Sequence, residues 1–231
     1  MSYSLIIPIY NEENTLRELI KSVKKLNTNI EVVIVNDGST DKTKSILSNQ
    51  KKPIKIINKT INQGKGAAII TGFEHSSKET IILMDADLEI SVAEIPKLIE
   101  VYETTKPDVL IGTRWEDIKF NLDLHYLGNI FINLLFNFLN NSNYKDILCC
   151  LKVMDSKIFK SLNIKSQGFD IESEIMSKIT TKNIKIVEQT INYKRRSKAE
   201  GKKLNFFDSF IIIWTIIRLK FFNYKANSIR I

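Results

Sequence analysis

The stretch Thr80-Ile81-Ile82-Leu83-Met84-Asp85-Ala86-Asp87-Leu88-Glu89 decides how this chain folds. An apolar run of strand length stops abruptly at two carboxylates one residue apart. In open α/β sheets, ligands bind in the crevice beyond the carboxyl ends of the strands, so Asp85 and Asp87 would project into such a crevice. Hard divalent cations take oxygen ligands and keep water and phosphate in their shell. Asp85, Asp87 and Glu89 are therefore candidates to hold Mg²⁺ or Mn²⁺ with a diphosphate. An acidic strand end is equally an ordinary helix cap or solvated turn, so the segments on either side carry the decision.

Working outward, one rhythm repeats. Ser4-Leu5-Ile6-Ile7-Pro8-Ile9 reads as a first strand, and Leu16, Leu19, Ile20, Val23 and Leu26 follow at helical spacing. Glu31-Val32-Val33-Ile34-Val35 is a second strand, ended by the turn cluster Asn36-Asp37-Gly38-Ser39. Ile54 to Ile57 is a third strand, and Lys65 to His75 a helix entered through Gly64 and Gly66. Ile95, Leu98, Ile99 and Tyr102 mark the helix after Asp87, and Asp108 to Gly112 is a fifth strand. Alternation of this kind predicts an α/β fold with a mostly parallel sheet and helices on both faces. Beyond Trp115 the pattern predicts helix-rich chain, with helices over Leu127 to Leu139 and Ile171 to Ile179. A last strand from Ile184 to Tyr193, a basic cluster and a terminal helix follow. The expected organisation is one domain over residues 1–204, with 205–231 as a C-terminal amphipathic helix.

The 231 residues carry a formal charge of +8, which suits phosphate-bearing partners: nucleic acid, anionic headgroups or nucleotides. Much of the excess is scattered lysine; Lys194-Arg195-Arg196-Ser197-Lys198 with Lys202-Lys203 is a true cluster. Two adjacent cysteines, Cys149 and Cys150, provide neither a disulfide scaffold nor a cysteine zinc site, which fits a reducing cytoplasm. Met1-Ser2-Tyr3-Ser4 leads directly into a strand without the regions of a signal peptide, so no export is expected. The apolar stretches Ile130 to Leu139 and Phe206 to Phe222 are interrupted or short for a bilayer span of about 20 residues. They read either as core helices or as helices lying in the headgroup region.

Pro8-Ile9-Tyr10-Asn11-Glu12 ends the first strand and Asp37 the second, at the same sheet edge as Asp85. A strand-end aspartate such as Asp37 suits a base imide or ribose, and Tyr10 or Pro8 can pack on a base. Asn62-Gln63-Gly64-Lys65-Gly66-Ala67-Ala68 opens a helix where amides and Lys65 can meet phosphate, although the spacing is not that of a P-loop.

Together with Gly112-Thr113-Arg114, His125 to Asn129, Gly168-Phe169-Asp170-Ile171-Glu172 and Tyr193 to Lys203, these segments resemble the family 2 glycosyltransferases of the GT-A fold. Within that family, they resemble the dolichyl- and polyprenyl-phosphate sugar synthases. The resemblance implies a Rossmann-like nucleotide-diphospho-sugar transferase fold. It implies a nucleotide-sugar pocket from Pro8, Tyr10, Glu12, Asp37, Lys65, Asp85, Ala86 and Asp87, and a Mg²⁺ or Mn²⁺ site from Asp85, Asp87 and Glu89. Arg114, Arg196, Lys202 and Lys203 match basic positions that would grip the acceptor phosphate, with Asp85, Asp87, Arg114 and Arg196 central to catalysis. Arginine suits that task because its planar fork offers two parallel donors to phosphate oxygens. The segment Asp146-Ile147-Leu148-Cys149-Cys150-Leu151-Lys152 departs from the family pattern, while Asp146 and Lys152 stay at matching positions.

The implied reaction is inverting transfer of a hexose from a UDP- or GDP-sugar to a polyprenyl phosphate. It would take place peripherally on the cytoplasmic membrane face, with a separate membrane-anchoring subunit as one means of attachment and with no nucleic-acid partner. A hydroxyl acceptor such as diacylglycerol would instead need a base, for which Asp146, Asp170 and Glu172 are candidates. A non-catalytic membrane-associated binding subunit stays open as a third reading.

Overall fold

Pro8 sits inside an interior strand of the sheet, where proline ordinarily removes a ladder hydrogen bond. The computed structural model describes residues 1–231 apart from 28, 51–53, 116–123, 183, 196–205 and 223–231. Its strands are β1 (Tyr3–Ile9), β2 (Ile30–Asp37), β3 (Lys55–Lys59), β4 (Thr80–Leu83), β5 (Val109–Thr113), β6 (Lys152–Asp155) and β7 (Ile186–Thr190). They form one sheet in the order β3-β2-β1-β4-β6-β5-β7. The Met84 amide donates to the Ile6 carbonyl, so the polar groups of Ile6, and two residues on those of Pro8, face β4. Because β4 ends opposite Ile6, Pro8 lies past the end of its neighbour and its missing N–H breaks no pairing.

The sheet is mostly parallel, as expected, with β6 antiparallel to both β4 and β5. This strand lies in the stretch between Trp115 and Ile184, read from the sequence as helix-rich and without a strand of its own. Four residues bounded by Lys152 and Asp155 carry too short an alternation to register as a strand. Tertiary pairing makes it one, with Leu83 opposite Lys152 on one side and Ile111 opposite Lys152 on the other. Lys152 is fully buried there, and its ammonium donates to the Cys149 carbonyl.

The helices are α1 (Leu16–Val23), α2 (Thr43–Ser48), α3 (Lys65–Glu74), α4 (Glu94–Thr105), α5 (Leu124–Asn140), α6 (Ser156–Leu162), α7 (Ile171–Thr180) and α8 (Phe206–Phe221). Strand alternation sorts the core into two layers. Leu5, Ile7, Ile82, Leu110 and Val153 face α1, α2 and α4, whereas Ile6, Ile81, Leu83, Val109 and Met154 face α5, α6, α7 and α8. Gly72 of α3 lies so close to β1 that a Cβ there would overlap the Ile6 side chain.

Helices α5 and α8 each bury one apolar stripe, Ile132 and Phe136 on the first and Ile212, Ile216 and Leu219 on the second. Their other faces stay apolar and exposed: Phe131 and Phe138 on α5, and Phe207, Phe210, Ile211 and Trp214 on α8. Inside the protein, Thr215 of α8 donates to the Asp170 carboxylate at 2.9 Å, tying α8 to the start of α7. Among the described residues no helix is long and apolar enough to cross a membrane.

Candidate active site

Parallel strands β2, β1 and β4 deliver Asp37, Tyr10 and Asp85 to one edge of the sheet, and a cavity of about 820 Å³ opens there. Pro8, Tyr10, Glu12, Asp37, Lys65, Asp85, Ala86, Asp87, Glu89 and Arg114 all line it, so the structure brings together every described residue expected at the site. Arg195 lines it as well. Arg196, Lys202 and Lys203 lie outside the described residues.

The loops after β1 and β2 are zipped together. Asn11, with φ of 50°, occupies the left-handed region that asparagine tolerates; its amide donates to Ser39 Oγ, and its carbonyl oxygen Oδ1 accepts the Thr40 amide. Glu12 is buried, its amide donates to Thr43 Oγ1, and its carboxylate accepts from Thr15. Asp37 is more deeply committed than its strand-end position predicts. It accepts the Gln63 and Gly64 amides, the latter at 2.7 Å, and pairs with Lys59 at 2.7 Å. The Gly-Lys-Gly turn is similarly occupied. The Ala67 amide donates to the Gln167 carbonyl, and a Cβ on Gly64 or Gly66 would overlap the carbonyls of Gln167 or Ser166. These glycines admit the 166–168 segment rather than leaving an open phosphate cradle.

The end of β4 is built differently. Lys65 Nζ lies 2.8 Å from both oxygens of Asp85 and 2.6 Å from Glu172 on α7. Burial pulls Lys65 down, but Asp85 and Glu172 outweigh it and hold the ammonium well above the ordinary lysine range. Burial first, then repulsion from Asp85 and Glu89, pushes Asp87 up to about 7. Asp87 accepts the Glu89 amide, and between them Leu88 takes a φ of 62°, a strained value for a residue of its size. Glu89 accepts from the Tyr193 hydroxyl at 2.9 Å, and its carbonyl accepts the Lys194 amide. Among the described residues no three His, Cys, Asp or Glu side chains form a ready metal cage. Asp85 and Asp87 still offer hard oxygen donors, and the half-buried Asp87 is crowded by the carboxylates of Asp85 and Glu89. A divalent cation fits there if a bound diphosphate completes its shell, as Mg²⁺ sites with few protein ligands do.

Opposite them, Arg114 is locked by Asp146, with Nε and Nη2 donating at 2.7 and 2.8 Å. Its guanidinium centre lies 4.6 Å from the Trp115 ring and 5.5 Å from that of Tyr193. Two of its five N–H groups are spent on Asp146 and the fork is held rigid. Asp170 is likewise taken, accepting from Ser166 and Thr215. The residue that sequence reasoning undervalued is Glu172, weighed only as a base. Asp170 and Glu174, four apart on α7, turn toward Ser166 and the Lys165 amide. Glu172, midway between them, points across the helix to Lys65. That two-residue offset was readable from the sequence; its partner was not.

Residues 4–162 match Glycosyl transferase family 2. The chain belongs to that family. It is 31% identical over 212 residues to the dolichol-phosphate mannosyltransferase of Pyrococcus furiosus, covering 87% of this chain and 59% of that protein. It is 29% identical over 167 residues to the undecaprenyl-phosphate 4-deoxy-4-formamido-L-arabinose transferase of Edwardsiella ictaluri, covering 69% of this chain and 50% of the relative. The chain thus spans between half and three-fifths of these two relatives. Glucosyl-3-phosphoglycerate synthase from Mycobacterium tuberculosis, solved with Mn²⁺, UDP-glucose and phosphoglyceric acid, superposes with a TM-score of 0.74. It covers 94% of this chain and 79% of that one at 16% identity, which establishes the shared GT-A fold.

Proposed function

We propose that this family 2 glycosyltransferase moves a hexosyl group from a nucleoside-diphosphate sugar to a polyprenyl phosphate at a membrane surface, with inversion at the anomeric carbon. The observation that carries this reading is the continuity of one cavity. Tyr10, Asp85 and Asp87 line it together with Ile132 of α5 and Ile212 of α8. Those are the two helices whose outer faces are exposed and apolar. A water-soluble acceptor has no use for such an approach, whereas a lipid-borne phosphate does. Helix α8, with Phe207, Phe210 and Trp214 outward and Arg218 and Lys220 in its last turn, has the make-up of a helix that lies among headgroups. The acceptors in the names of the two relatives favour the same class. Peripheral attachment to the cytoplasmic face, through residues 205–231 or through an anchoring partner, belongs to this proposal.

Pro8, Tyr10, Glu12 and Asp37 would form the wall against the base and ribose. An attacking phosphate monoester is already ionised near neutral pH, so the acceptor needs alignment and charge screening more than a base. Arg114, held rigid by Asp146 and flanked by Trp115 and Tyr193, would present its remaining N–H groups to the acceptor phosphate, with Arg195, Arg196, Lys202 and Lys203 adding charge. The acceptor oxygen bonds to sugar C1 as the bond from C1 to the diphosphate breaks in line. The nucleoside diphosphate leaves beside Asp85, Asp87 and Lys65. Mg²⁺ or Mn²⁺ held by Asp85 and Asp87, with Glu89 at the rim, would supply neutralisation of that leaving group. Asp146, Asp170 and Glu172 are each committed to another side chain, which weighs against an acceptor hydroxyl that needs a free base.

The test is transfer from radiolabelled UDP- and GDP-hexoses with Mg²⁺ or Mn²⁺ into organic-extractable product. Label that requires added polyprenyl phosphate and disappears in Asp85→Ala is expected. Label in diacylglycerol instead would sink the lipid-phosphate reading.

A further inference from the structure

Lys65 lies between two carboxylates of unequal exposure. The Glu172 side chain is 7% exposed and that of Asp85 is 30% exposed on the cavity wall, while Lys65 itself is 12% exposed. The backbone beneath Lys65 cannot move far. The Ala67 amide is bonded to Gln167, and Gly64 and Gly66 are packed against the 166–168 segment. The lysine side chain, by contrast, is a flexible stem carrying a point charge with three donors. One ammonium at 2.8 Å from both Asp85 oxygens blocks any second cation from taking those oxygens together.

We infer that Lys65 is an exchangeable internal cation. It holds the place of the divalent ion on Asp85 while the site is empty, then swings about its buried anchor Glu172 onto the donor's diphosphate when metal and nucleotide arrive. Glu172 is thereby a positioning residue: it keeps the ammonium in the cavity once Asp85 lets go. The exchange keeps each charge paired, because Asp85 passes from one cation to another, Lys65 passes from one anion to another, and the diphosphate's charge balances that of the incoming metal. Its partner Phe169, with its ring 5.9 Å from Nζ, lines the same cavity and leaves the ammonium an apolar flank rather than a third acceptor. This inference rests on the donor and metal reading proposed above.

The experiment is titration of the whole chain with Mn²⁺ alone, followed by EPR, and of the Mn²⁺-loaded chain with UDP and GDP, followed by calorimetry. A merely structural lysine would weaken both kinds of binding when removed. Exchange predicts opposite signs. Lys65→Met tightens Mn²⁺ binding in the absence of nucleotide by roughly tenfold and weakens nucleotide binding by about as much, the scale of one close charge pair near a protein surface. Glu172→Gln weakens nucleotide binding without tightening Mn²⁺. In an Asp85→Asn background the effect of Lys65→Met on Mn²⁺ shrinks below about twofold, since the oxygens it screened are no longer a carboxylate. An equal gain in both backgrounds would mean a general field effect and would overturn the exchange, as would no gain in either. If the unaltered chain binds no Mn²⁺ even with nucleotide, the metal reading itself falls and the exchange falls with it. Insensitivity to Lys65 with Mn²⁺ binding intact removes only the exchange.

Discussion

The two sides of the crevice, the loops after β1 and β2 and the loop after β4, use the same residue types to opposite ends. On the first side every acid is consumed by the protein: Asp37 by two amides and Lys59, Glu12 by Thr15, and Asp41 by the Glu13 amide. On the second side the charges are left in tension. Asp87 is crowded by Asp85 and Glu89, Leu88 holds a left-handed backbone, and Asp85 depends on a lysine that has a second anchor. The difference teaches where ligand chemistry belongs. Acids bound to fixed amides and side chains make a wall of fixed shape, and crowded carboxylates have free energy to release to a bound cation.

The largest effect that can break this comparison is Asp87→Asn. Transfer is expected to fall by roughly a thousandfold, as when a key charge-stabilising group is removed from an active site. Its unfolding midpoint should hold steady or rise, because a carboxylate crowded by Asp85 and Glu89 is neutralised. A destabilised, active variant would show the two sides to be alike. On the opposite wall, Asp37→Ala leaves Lys59 and two amides without their acceptor. It should lower stability in urea by about 3 kcal/mol, the cost of breaking a buried pair. Unchanged stability would mean that wall is not held as its geometry indicates.

Smaller effects sharpen the contrast. Arg114→Lys keeps the charge but loses the fork held by Asp146, so kcat/KM for the lipid phosphate should drop roughly tenfold to a hundredfold while donor binding is spared. Glu174, away from the crevice, is a control. Burial pushes its carboxyl up, yet bonds from Lys178, Ser166 and Lys165 outweigh burial and hold it below the ordinary 4.5. A carboxylate depressed in the folded state contributes stability above its unfolded value and loses it as pH falls through the folded one. Glu174→Gln should therefore cost about 1 kcal/mol at pH 7 and nothing once the pH is well below both values, read from melts in acid with transfer activity retained. A loss that persists unchanged at low pH would remove charge as the cause.

Much of the fold was legible because strand alternation and helical spacing act within single segments. Leu5, Ile7 and Ile9 against Ile6 already contain the two-layer core. The short α2 and α6, like β6, carry too few residues to show a period, and Lys152 reads as a surface cation until both neighbours of its strand are known. At the site, Asp85 and Asp87 declared themselves at a strand end. Asp37 looked equally ready for a ligand, yet the loop at Gln63 and Gly64 folds onto it and uses its oxygens.

The sequence by itself determined the α/β alternation, the sheet edge where the functional residues gather and the family to which the chain belongs. Each of these depends on residue order and on side chains near one another along the chain. Only the tertiary structure decided which carboxylates are held by amides and which crowd one another, that Glu172 rather than Asp170 faces Lys65, and that residues of α5 and α8 line the same crevice as Asp85. Those facts depend on partners brought from more than a hundred residues away, as Glu172 is to Lys65, and a charge has no assigned role until the fold brings its counter-charge to it or leaves it without one.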